Sequence, residues 1–377
     1  HAVCMGVAPT PAVAALTRAR GFDAGVVISA SHNPYCDNGI KIFSSEGFKL
    51  PDEEEVRIES HVLDGSLPEP AADSASRLEH RAELVGDYLE VLRTAVPPEL
   101  SLEGLSIHLD CAHGAAYGMA ADLFRSLGAQ VEAHGIHPDG RNINLDCGAL
   151  HPQELAEAVR RDGADFGVAF DGDADRAILV DRKGRILDGD FVLYRSALDL
   201  KRRDKLRGDC VVATVMSNLW LERALHEHGI ELRRAAVGDK YVLEEMLRCG
   251  AVLGGEQSGH IIFLEHATTG DGLLTALKMA ENVVRNQGDL AVWNDEIRPC
   301  PQVLINVHVS SRPDLEAHPS VGPVIAGVTR ELGDRGRVLV RYSGTENLAR
   351  VMVEGEQATE VHRAARLISA AIEEAIG

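Results

Sequence analysis

The chain has 377 residues, enough for roughly two to four domains. Lys and Arg number 38 and Asp and Glu 58, which gives a net charge of −20 and argues against binding to nucleic acid or to an anionic membrane. No apolar run approaches the roughly 18 residues of a membrane span. The seven cysteines are scattered without a C-x-x-C motif. We interpret them as reduced thiols of a cytoplasmic protein.

Apolar strand-like runs alternate with helical patterns along most of the chain, which is typical of an α/β fold. The patterns predict a surface loop at 65–79, a helix at 80–95, a strand at 106–111, helices at 118–128 and 151–163, a strand at 163–171, a solvated connection at 201–209 and a C-terminal helix at 358–376. In the last helix, apolar Val361, Ala365, Ile368, Ile372 and Ile376 recur at helical spacing. Composition shifts at Pro97-Pro98 and at residues 298–301 suggest domain boundaries.

A short repeat precedes the most unusual loops of the sequence. Residues 21–28 (GFDAGVVI) match residues 163–170 (GADFGVAF), and residues 250–255 (GAVLGG) form a weaker third copy. Each copy is predicted to be a strand and leads into a polar loop: SASHNP, DGDADR and EQSGH. Ligands of open α/β domains bind beyond the carboxyl ends of strands. We therefore expect three related domains whose loops converge on one site.

Asp171, Asp173 and Asp175 alternate along the second of these loops. Three hard oxygen donors so close together can hold a cation such as Mg²⁺, and without one their charges would repel. An acidic surface turn is the alternative. A calcium-binding EF-hand is excluded because Arg176 and Arg182 stand where that loop needs Gly and Glu.

Ser31 follows a predicted strand and precedes His32, so it is a candidate nucleophile or, alternatively, a capping residue of a turn. Lys41 lies shortly after and could donate to a phosphate or give a proton to a sugar oxygen, the alternative being a merely solvated side chain. Glu256 and Ser258, close to His260, could hold the hydroxyls of a sugar. The alternative for this last loop is a plain polar turn.

A fourth loop, RYSGTEN, lies between two predicted strands near the C-terminus. Its arginine, hydroxyl groups and glycine turn could bind a phosphate, with Arg350 adding charge, or form only a hairpin turn. The glycine-rich motifs of the common nucleotide-binding loops do not occur in the sequence.

Together, in this order, SASHNP, DGDADR, GEQSGH and RYSGTEN resemble the loops of the α-D-phosphohexomutase superfamily. Three further segments, DNGIKIF, GRNIN and VGDKYV, make the resemblance closest to the members that act on glucosamine phosphate. The resemblance covers essentially the whole chain. It implies an α/β fold of four domains in a heart shape, three related mixed α/β domains and a C-terminal α+β domain. The expected limits are 1–82, 83–186, 187–298 and 299–377.

The resemblance also implies roles for individual residues. Ser31 would carry a phosphoryl group, and it would bind one Mg²⁺ together with Asp171, Asp173 and Asp175. The other catalytic residues would be His32, Lys41, Arg176 and His260. The substrate-binding residues would be Lys240, Glu256, Ser258, Arg341, Ser343, Gly344, Thr345 and Arg350.

The implied activity is that of an isomerase that transfers a phosphoryl group within glucosamine phosphate. Glucosamine 6-phosphate and glucosamine 1-phosphate would interconvert through a 1,6-bisphosphate, with a hexose 1,6-bisphosphate as primer, and the product would supply UDP-N-acetylglucosamine and cell-wall precursors. The same chemistry on glucose or mannose phosphates is the nearest alternative. A second alternative is a fragment that binds phosphosugars without catalysing a reaction. The chain could also form a homodimer.

Three features of the sequence depart from the family pattern. Tyr342 stands where many relatives have Pro, and Lys240 stands where this group often has Arg. The family's first domain begins further upstream with a strand and a G-T-D-G-I-R-G-like loop, and neither occurs here. We therefore expect that the N-terminal part of the first domain is missing from this chain.

Overall fold

A computed structural model describes residues 1–66, 78–343 and 346–377. The chain forms two compact units. The first comprises His1–Thr214 and Arg233–Asp295, and the second comprises Val215–Leu232 and Glu296–Gly377. None of the helices in the described ranges has the length and apolar character needed to cross a bilayer.

The first unit begins with two short strand pairs and three helices. These elements are β1 (Ala2–Cys4), α1 (Thr10–Arg20), β2 (Ala24–Ile28), β3 (Ile40–Ser44), α2 (Asp52–Leu63), β4 (Leu78–His80) and α3 (Leu84–Thr94). Strands β2 and β3 are antiparallel, with Val27 opposite Lys41. Lys41 therefore lies beside the strand whose end leads to Ser31.

The prediction of a surface loop at 65–79 is wrong for its last two residues. Residues 67–77 lie outside the described residues, whereas Leu78 and Glu79 belong to β4, which pairs in parallel with β1. This pairing joins segments more than 70 residues apart, so a local sequence pattern could not show it. The helix predicted at 80–95 is present but begins only at Leu84.

A five-stranded sheet forms the middle of the first unit. Its elements are β5 (Ser106–Asp110), α4 (Ala120–Ser126), β6 (Gln130–His134), α5 (Gln153–Asp162), β7 (Phe166–Phe170), β8 (Ala177–Asp181) and β9 (Ile186–Leu187), in the strand order β6-β5-β7-β8-β9. Every residue of β7 and β8 is buried, as expected of strands covered on both faces. The strands and helices predicted between residues 106 and 171 are confirmed, with shorter ends.

The next stretch contains a smaller mixed sheet. Its elements are α6 (Gly189–Arg202), β10 (Cys210–Thr214), α7 (Leu219–Glu227), β11 (Glu231–Ala235), α8 (Asp239–Cys249), β12 (Leu253–Gly255), β13 (Ile261–Phe263), α9 (Gly272–Arg285) and α10 (Leu290–Asp295). The strand order is β11-β10-β12-β13, with α8 packed on β10 and β12. The charged segment predicted as a connection at 201–209 begins inside α6.

The structure confirms that each copy of the repeat follows a helix and contains a strand. Helices α1, α5 and α8 each end at a left-handed glycine, with φ of 66° at Gly21, 69° at Gly163 and 76° at Gly250. Glycine adopts this conformation without the steric cost of a side chain. Strands β2, β7 and β12 follow directly. The repeat is therefore a helix, a glycine cap and a strand.

The second unit is built around a three-stranded antiparallel sheet. Besides α7, its elements are β14 (Gln302–His308), α11 (Gly322–Leu332), β15 (Gly336–Tyr342), β16 (Leu348–Gly355) and α12 (Ala358–Ile376), with the strand order β14-β16-β15. Helix α12 packs on β14 and β16, and α11 packs on β15. The five apolar residues predicted to share one face of the last helix are all buried.

Replacement of Ile368 by Ala should destabilise the second unit. Ile368 is fully buried in its core, so truncation leaves a cavity that costs about 2–5 kcal/mol. The neighbouring Leu367 is 48% exposed, and its replacement by Ala should change the free energy of unfolding by less than about 0.5 kcal/mol. Urea denaturation, with hydrogen exchange of the β16 amides to assign the transition, measures both. Equal effects of the two substitutions would contradict this packing.

Candidate active site

The loops that follow β2, β7 and β12 meet in the first unit, as the repeat predicts. The Ser31 hydroxyl donates a 2.6 Å hydrogen bond to Asp171 Oδ2. His260 Nδ1 lies 3.5 Å from Asp175 Oδ1. Residues from three distant segments therefore form one polar cluster around the aspartates.

The three aspartates are buried and close together. Asp171, Asp173 and Asp175 each place one carboxylate oxygen so that the three atoms lie within 4.8 Å of one another. Burial, followed by the charges of Asp175 and Asp173, raises the pKa of Asp171 well above its usual range. Such a cluster needs compensating positive charge to remain ionised.

Two cationic side chains supply part of that charge. Lys41 Nζ donates to Asp173 Oδ2 at 2.6 Å and to Asp175 Oδ2 at 3.0 Å. Burial lowers the pKa of Lys41, but Asp175 and Asp173 raise it more, so the net shift is upward and the ammonium is retained. The Arg176 backbone N–H donates to Asp171 Oδ1 at 3.1 Å, and its Nε lies 3.8 Å from Asp175 Oδ1.

The same aspartates fit a divalent cation. Asp173 Oδ1 is buried and has no hydrogen-bond partner among the described residues. Carboxylate oxygens are the ligands that Mg²⁺ prefers in proteins. A cation held by these oxygens would compete with Lys41 for the negative charge of Asp173 and Asp175.

Ser31 has an unusual backbone conformation. Its φ is 53°, in the left-handed region, which costs a residue with a side chain about 1–2 kcal/mol. The Ser31 backbone N–H donates to Ser29 Oγ at 2.9 Å, and His32 Nδ1 lies 3.4 Å from Ser31 Oγ. Burial, and then the charge of Arg176, lower the pKa of His32. The loop therefore presents a hydroxyl between a carboxylate and an imidazole.

His260 is held on both sides. The Gly270 N–H donates to His260 Nε2 at 2.9 Å, which leaves the imidazole proton on Nδ1, facing Asp175. Asp239 Oδ2 lies 3.5 Å from Nε2, and Asp239 also pairs with the ammonium of Lys49. The ring is buried, so its orientation is fixed by these contacts.

Two of the sugar-binding candidates, Glu256 and Ser258, contact each other in the loop after β12. The Ser258 hydroxyl donates to Glu256 Oε2 at 3.2 Å, and the Gly238 N–H donates to Glu256 Oε1 at 3.0 Å. Lys240 lies in the first turn of α8, and its ammonium pairs with Asp52 of α2. The structure therefore joins Glu256 and Ser258 directly, whereas Lys240 contacts an acidic side chain of another segment.

Four residues that contact the cluster were not identified from the sequence as site residues. Thr10 donates to Asp173 Oδ2 at 2.5 Å, and Asn144 donates to backbone carbonyls of the Ser31 loop. Asp239 and Lys49 lie next to His260 as described above. Asp239 lies in the segment VGDKYV and Asn144 in GRNIN, but these segments were used only to support the family resemblance. No sequence signal points to Thr10 or Lys49.

The fourth predicted loop lies in the second unit. Gly344 and Thr345 lie outside the described residues. Arg350 donates to Ser343 Oγ at 3.3 Å and to Glu346 Oε2 at 3.2 Å. Arg341 lies directly opposite Arg350 in the ladder of β15 and β16, and burial together with the charge of Arg350 lowers the pKa of Arg341. Two arginines that face each other form a favourable site for an anion.

Family models and curated proteins match this chain along its length. Models of the phosphoglucomutase/phosphomannomutase domains match residues 1–68 (domain I), 87–184 (domain II), 188–299 (domain III) and 304–371 (C-terminal domain). The chain is 49% identical to a phosphoglucosamine mutase of Magnetococcus marinus, over 100% of this chain and 78% of that protein. It is 48% identical to a phosphoglucosamine mutase of Anaeromyxobacter dehalogenans, over 99% of this chain and 83% of that protein. The expected domain limits and the missing N-terminal part stay predictions.

Solved structures share the fold. A phosphoglucomutase/phosphomannomutase family protein of Burkholderia thailandensis matches with a TM-score of 0.78 and 21% identity, over 99% of this chain and 82% of that one. An N-acetylphosphoglucosamine mutase of Aspergillus fumigatus, in complex with GlcNAc-6P and magnesium, matches with a TM-score of 0.73 and 20% identity, over 97% and 92% of the two chains.

Substitutions at Asp173 and Lys41 should change Mg²⁺ affinity in opposite directions. Asp173→Asn removes a ligand charge and should weaken binding by at least about tenfold. Lys41→Met removes the ammonium that competes for the carboxylates and should strengthen it. Calorimetric titration measures both, and Lys183→Met, which removes a lysine that pairs with Asp295 instead, is the control. Weaker Mg²⁺ binding by Lys41→Met would contradict the competition.

Proposed function

Because the chain belongs to the phosphoglucomutase/phosphomannomutase family, we propose that it interconverts glucosamine 6-phosphate and glucosamine 1-phosphate. Curated relatives named phosphoglucosamine mutase are 46–49% identical to it over nearly its full length. The observation that carries the proposal is the Ser31 hydroxyl, which is held 2.6 Å from a buried aspartate cluster flanked by Lys41 and Arg176.

Ser31 would act as the carrier of the phosphoryl group. Once phosphorylated by a hexose 1,6-bisphosphate, it would donate that group to O1 of glucosamine 6-phosphate. The bond between phosphorus and Ser31 Oγ breaks, a bond to O1 forms, and the O1 proton is removed. The 1,6-bisphosphate would then reverse its orientation, and its 6-phosphoryl group would return to Ser31 Oγ as the bond between phosphorus and O6 breaks. O6 would take up a proton from the group that accepted the O1 proton, and glucosamine 1-phosphate would leave.

Asp171, Asp173 and Asp175 would hold Mg²⁺ together with an oxygen of the Ser31 phosphate. When bound, the ion would neutralise charge on the phosphoryl group during transfer. The buried Asp173 oxygen without a partner in the described part of the chain supports this assignment.

The remaining charge and proton transfer would come from side chains around Ser31. Lys41, Arg176 and His32 would face the phosphoryl group and stabilise its negative charge. Lys41 and His260 are the two candidates for moving the proton between the sugar hydroxyl and the protein. Both lie within 3.5 Å of Asp175.

The sugar and its other phosphate would be bound by separate loops. Glu256 and Ser258, with Lys240 nearby, would bind the sugar hydroxyls. Arg341, Ser343, Gly344, Thr345 and Arg350 would bind the phosphate that is not being transferred. The facing arginines of β15 and β16 support the second assignment.

The proposed reaction gives the protein a metabolic place. Its product would supply UDP-N-acetylglucosamine and cell-wall precursor synthesis in the cytoplasm. The acidic composition supports a small-molecule partner over nucleic acid or membrane. A homodimer stays a prediction.

Replacement of Ser31 by Ala should abolish turnover, because it removes the oxygen that carries the phosphoryl group. The matched control is Ser45→Ala, which changes an exposed residue of the turn after β3 and should leave turnover unchanged. The assay compares glucosamine, glucose and mannose phosphates with Mg²⁺ and a hexose 1,6-bisphosphate. Fastest turnover of the amino sugar is expected. Faster turnover of glucose or mannose phosphate would favour the alternative mutases.

Replacement of Arg341 by Ala should raise the KM for the sugar phosphate by roughly 10–100-fold, the usual effect of losing a charged hydrogen bond. The kcat should change much less. Arg330→Ala, on the exposed side of α11, is the control. A collapse of kcat at unchanged KM would show that Arg341 acts on the transfer step and would reject its role as a phosphate ligand.

A further inference from the structure

Asn144 connects the middle sheet of the first unit to the loop that carries Ser31. It lies between β6 and α5, more than 100 residues from Ser31 in sequence. Its side-chain Nδ2 donates to the Ser31 carbonyl at 2.9 Å and to the Asn33 carbonyl at 3.0 Å. Both hydrogens of one amide group are therefore used on the backbone of the Ser31 loop.

The Ser31 loop needs an external partner because its backbone is strained. Ser31 is held at a φ of 53°, where a residue with a Cβ is disfavoured. Among the contacts within the loop, the Ser31 N–H donates to Ser29 Oγ and the Asn33 N–H donates to the Ala30 carbonyl. Asn144 donates to two further carbonyls of the same turn, those of Ser31 and Asn33.

Asn144 is itself held rigidly. Its φ is 58°, a region that asparagine tolerates better than other residues with side chains, and its backbone N–H donates to the Ala112 carbonyl at 3.0 Å. Gly172, between two of the aspartates, packs against both partners: a Cβ there would lie 2.5 Å from the Ser31 carbonyl oxygen and 2.8 Å from Asn144 Nδ2. The absence of a side chain at Gly172 allows this close approach.

We infer that Asn144 is a positioning residue that holds the Ser31 hydroxyl against the aspartate cluster. Phosphoryl transfer requires the donor oxygen in line with the acceptor, and a displacement of about 1 Å can cost about 100-fold in rate. The Ser31 hydroxyl bonds to Asp171, which belongs to the same loop as Gly172. Asn144 thus links the backbone of Ser31, the proposed nucleophile, to the middle sheet, whose loop after β7 carries the aspartates proposed to bind the metal. This inference rests on the proposed mutase function.

Asparagine suits this position for two reasons. An aspartate would place acceptor oxygens against two carbonyl oxygens, and it would add negative charge beside Asp171. A residue with no polar side chain would leave both carbonyls without this donor. Asn144→Asp and Asn144→Gly therefore remove the same two hydrogen bonds by different means, and glycine keeps the left-handed backbone.

The experiment compares wild type, Asn144→Asp, Asn144→Gly and Ser31→Ala in the mutase assay with Mg²⁺ and a hexose 1,6-bisphosphate. The kcat of both Asn144 variants should fall by about tenfold or more, while the KM for the sugar phosphate stays within about threefold. The control is Asn142→Asp in the same loop, which removes a hydrogen bond to the His137 carbonyl and should keep kcat near wild type.

Hydrogen exchange provides a measurement that does not depend on activity. The amides of residues 30–37 should exchange faster in both Asn144 variants than in wild type or in Asn142→Asp. A kcat within threefold of wild type for both Asn144 variants would overturn the inference. So would a raised KM at unchanged kcat, or unchanged exchange at residues 30–37.

The same set of measurements separates the two hypotheses. An inactive wild type would reject the proposed function, and hydrogen exchange would still test whether Asn144 holds the loop. An active wild type with unaffected Asn144 variants would reject only the positioning role. If Asn144→Asp loses its cooperative melting transition, the outcome is decided on Asn144→Gly.

Discussion

The burial of three carboxylates within five residues is the constraint on which the rest of the first unit depends. Asp171, Asp173 and Asp175 are each less than 5% exposed, so water cannot screen their mutual repulsion. Positive charge must come from the protein or from a bound cation. Lys41 supplies such a charge from the hairpin of β2 and β3, and the loop after β12 places Nδ1 of His260 next to Asp175. The electrostatic requirement of one loop thereby ties together segments that lie up to about 130 residues away.

The topology makes this assembly possible. Each copy of the repeat ends a helix at a left-handed glycine and starts a strand three residues later. The three strands belong to similar units of a helix followed by a strand. The polar loop that follows each strand therefore lies beyond the carboxyl end of that strand. Ser31, the acidic cluster and the His260 imidazole thus come from repeated geometry. In the second unit, Arg341 and Arg350 are brought together in another way, because they lie directly opposite each other in the antiparallel pair of β15 and β16.

The sequence predicted the parts of the fold and site that depend on local pattern. The buried face of α12, the central strands and the three strand-end loops all follow from periodicity, glycine caps and polar clusters. Thr10, Lys49, Asn144 and Asp239 were not predicted as site residues because their partners lie far away in sequence. Strand β4 was missed for the same reason, since only its pairing with β1 makes it extended.

Lys41 illustrates how one side chain can serve both the fold and the chemistry. Its two short contacts to Asp173 and Asp175 supply positive charge next to these buried carboxylates in the folded protein. A divalent cation on the same oxygens would take over that role, and the ammonium would then be available to the phosphoryl group of Ser31. The site therefore keeps a positive charge near the aspartates in either state. Because Lys41 and Ser31 bind carboxylates of the same cluster, the role proposed for the ammonium needs little rearrangement.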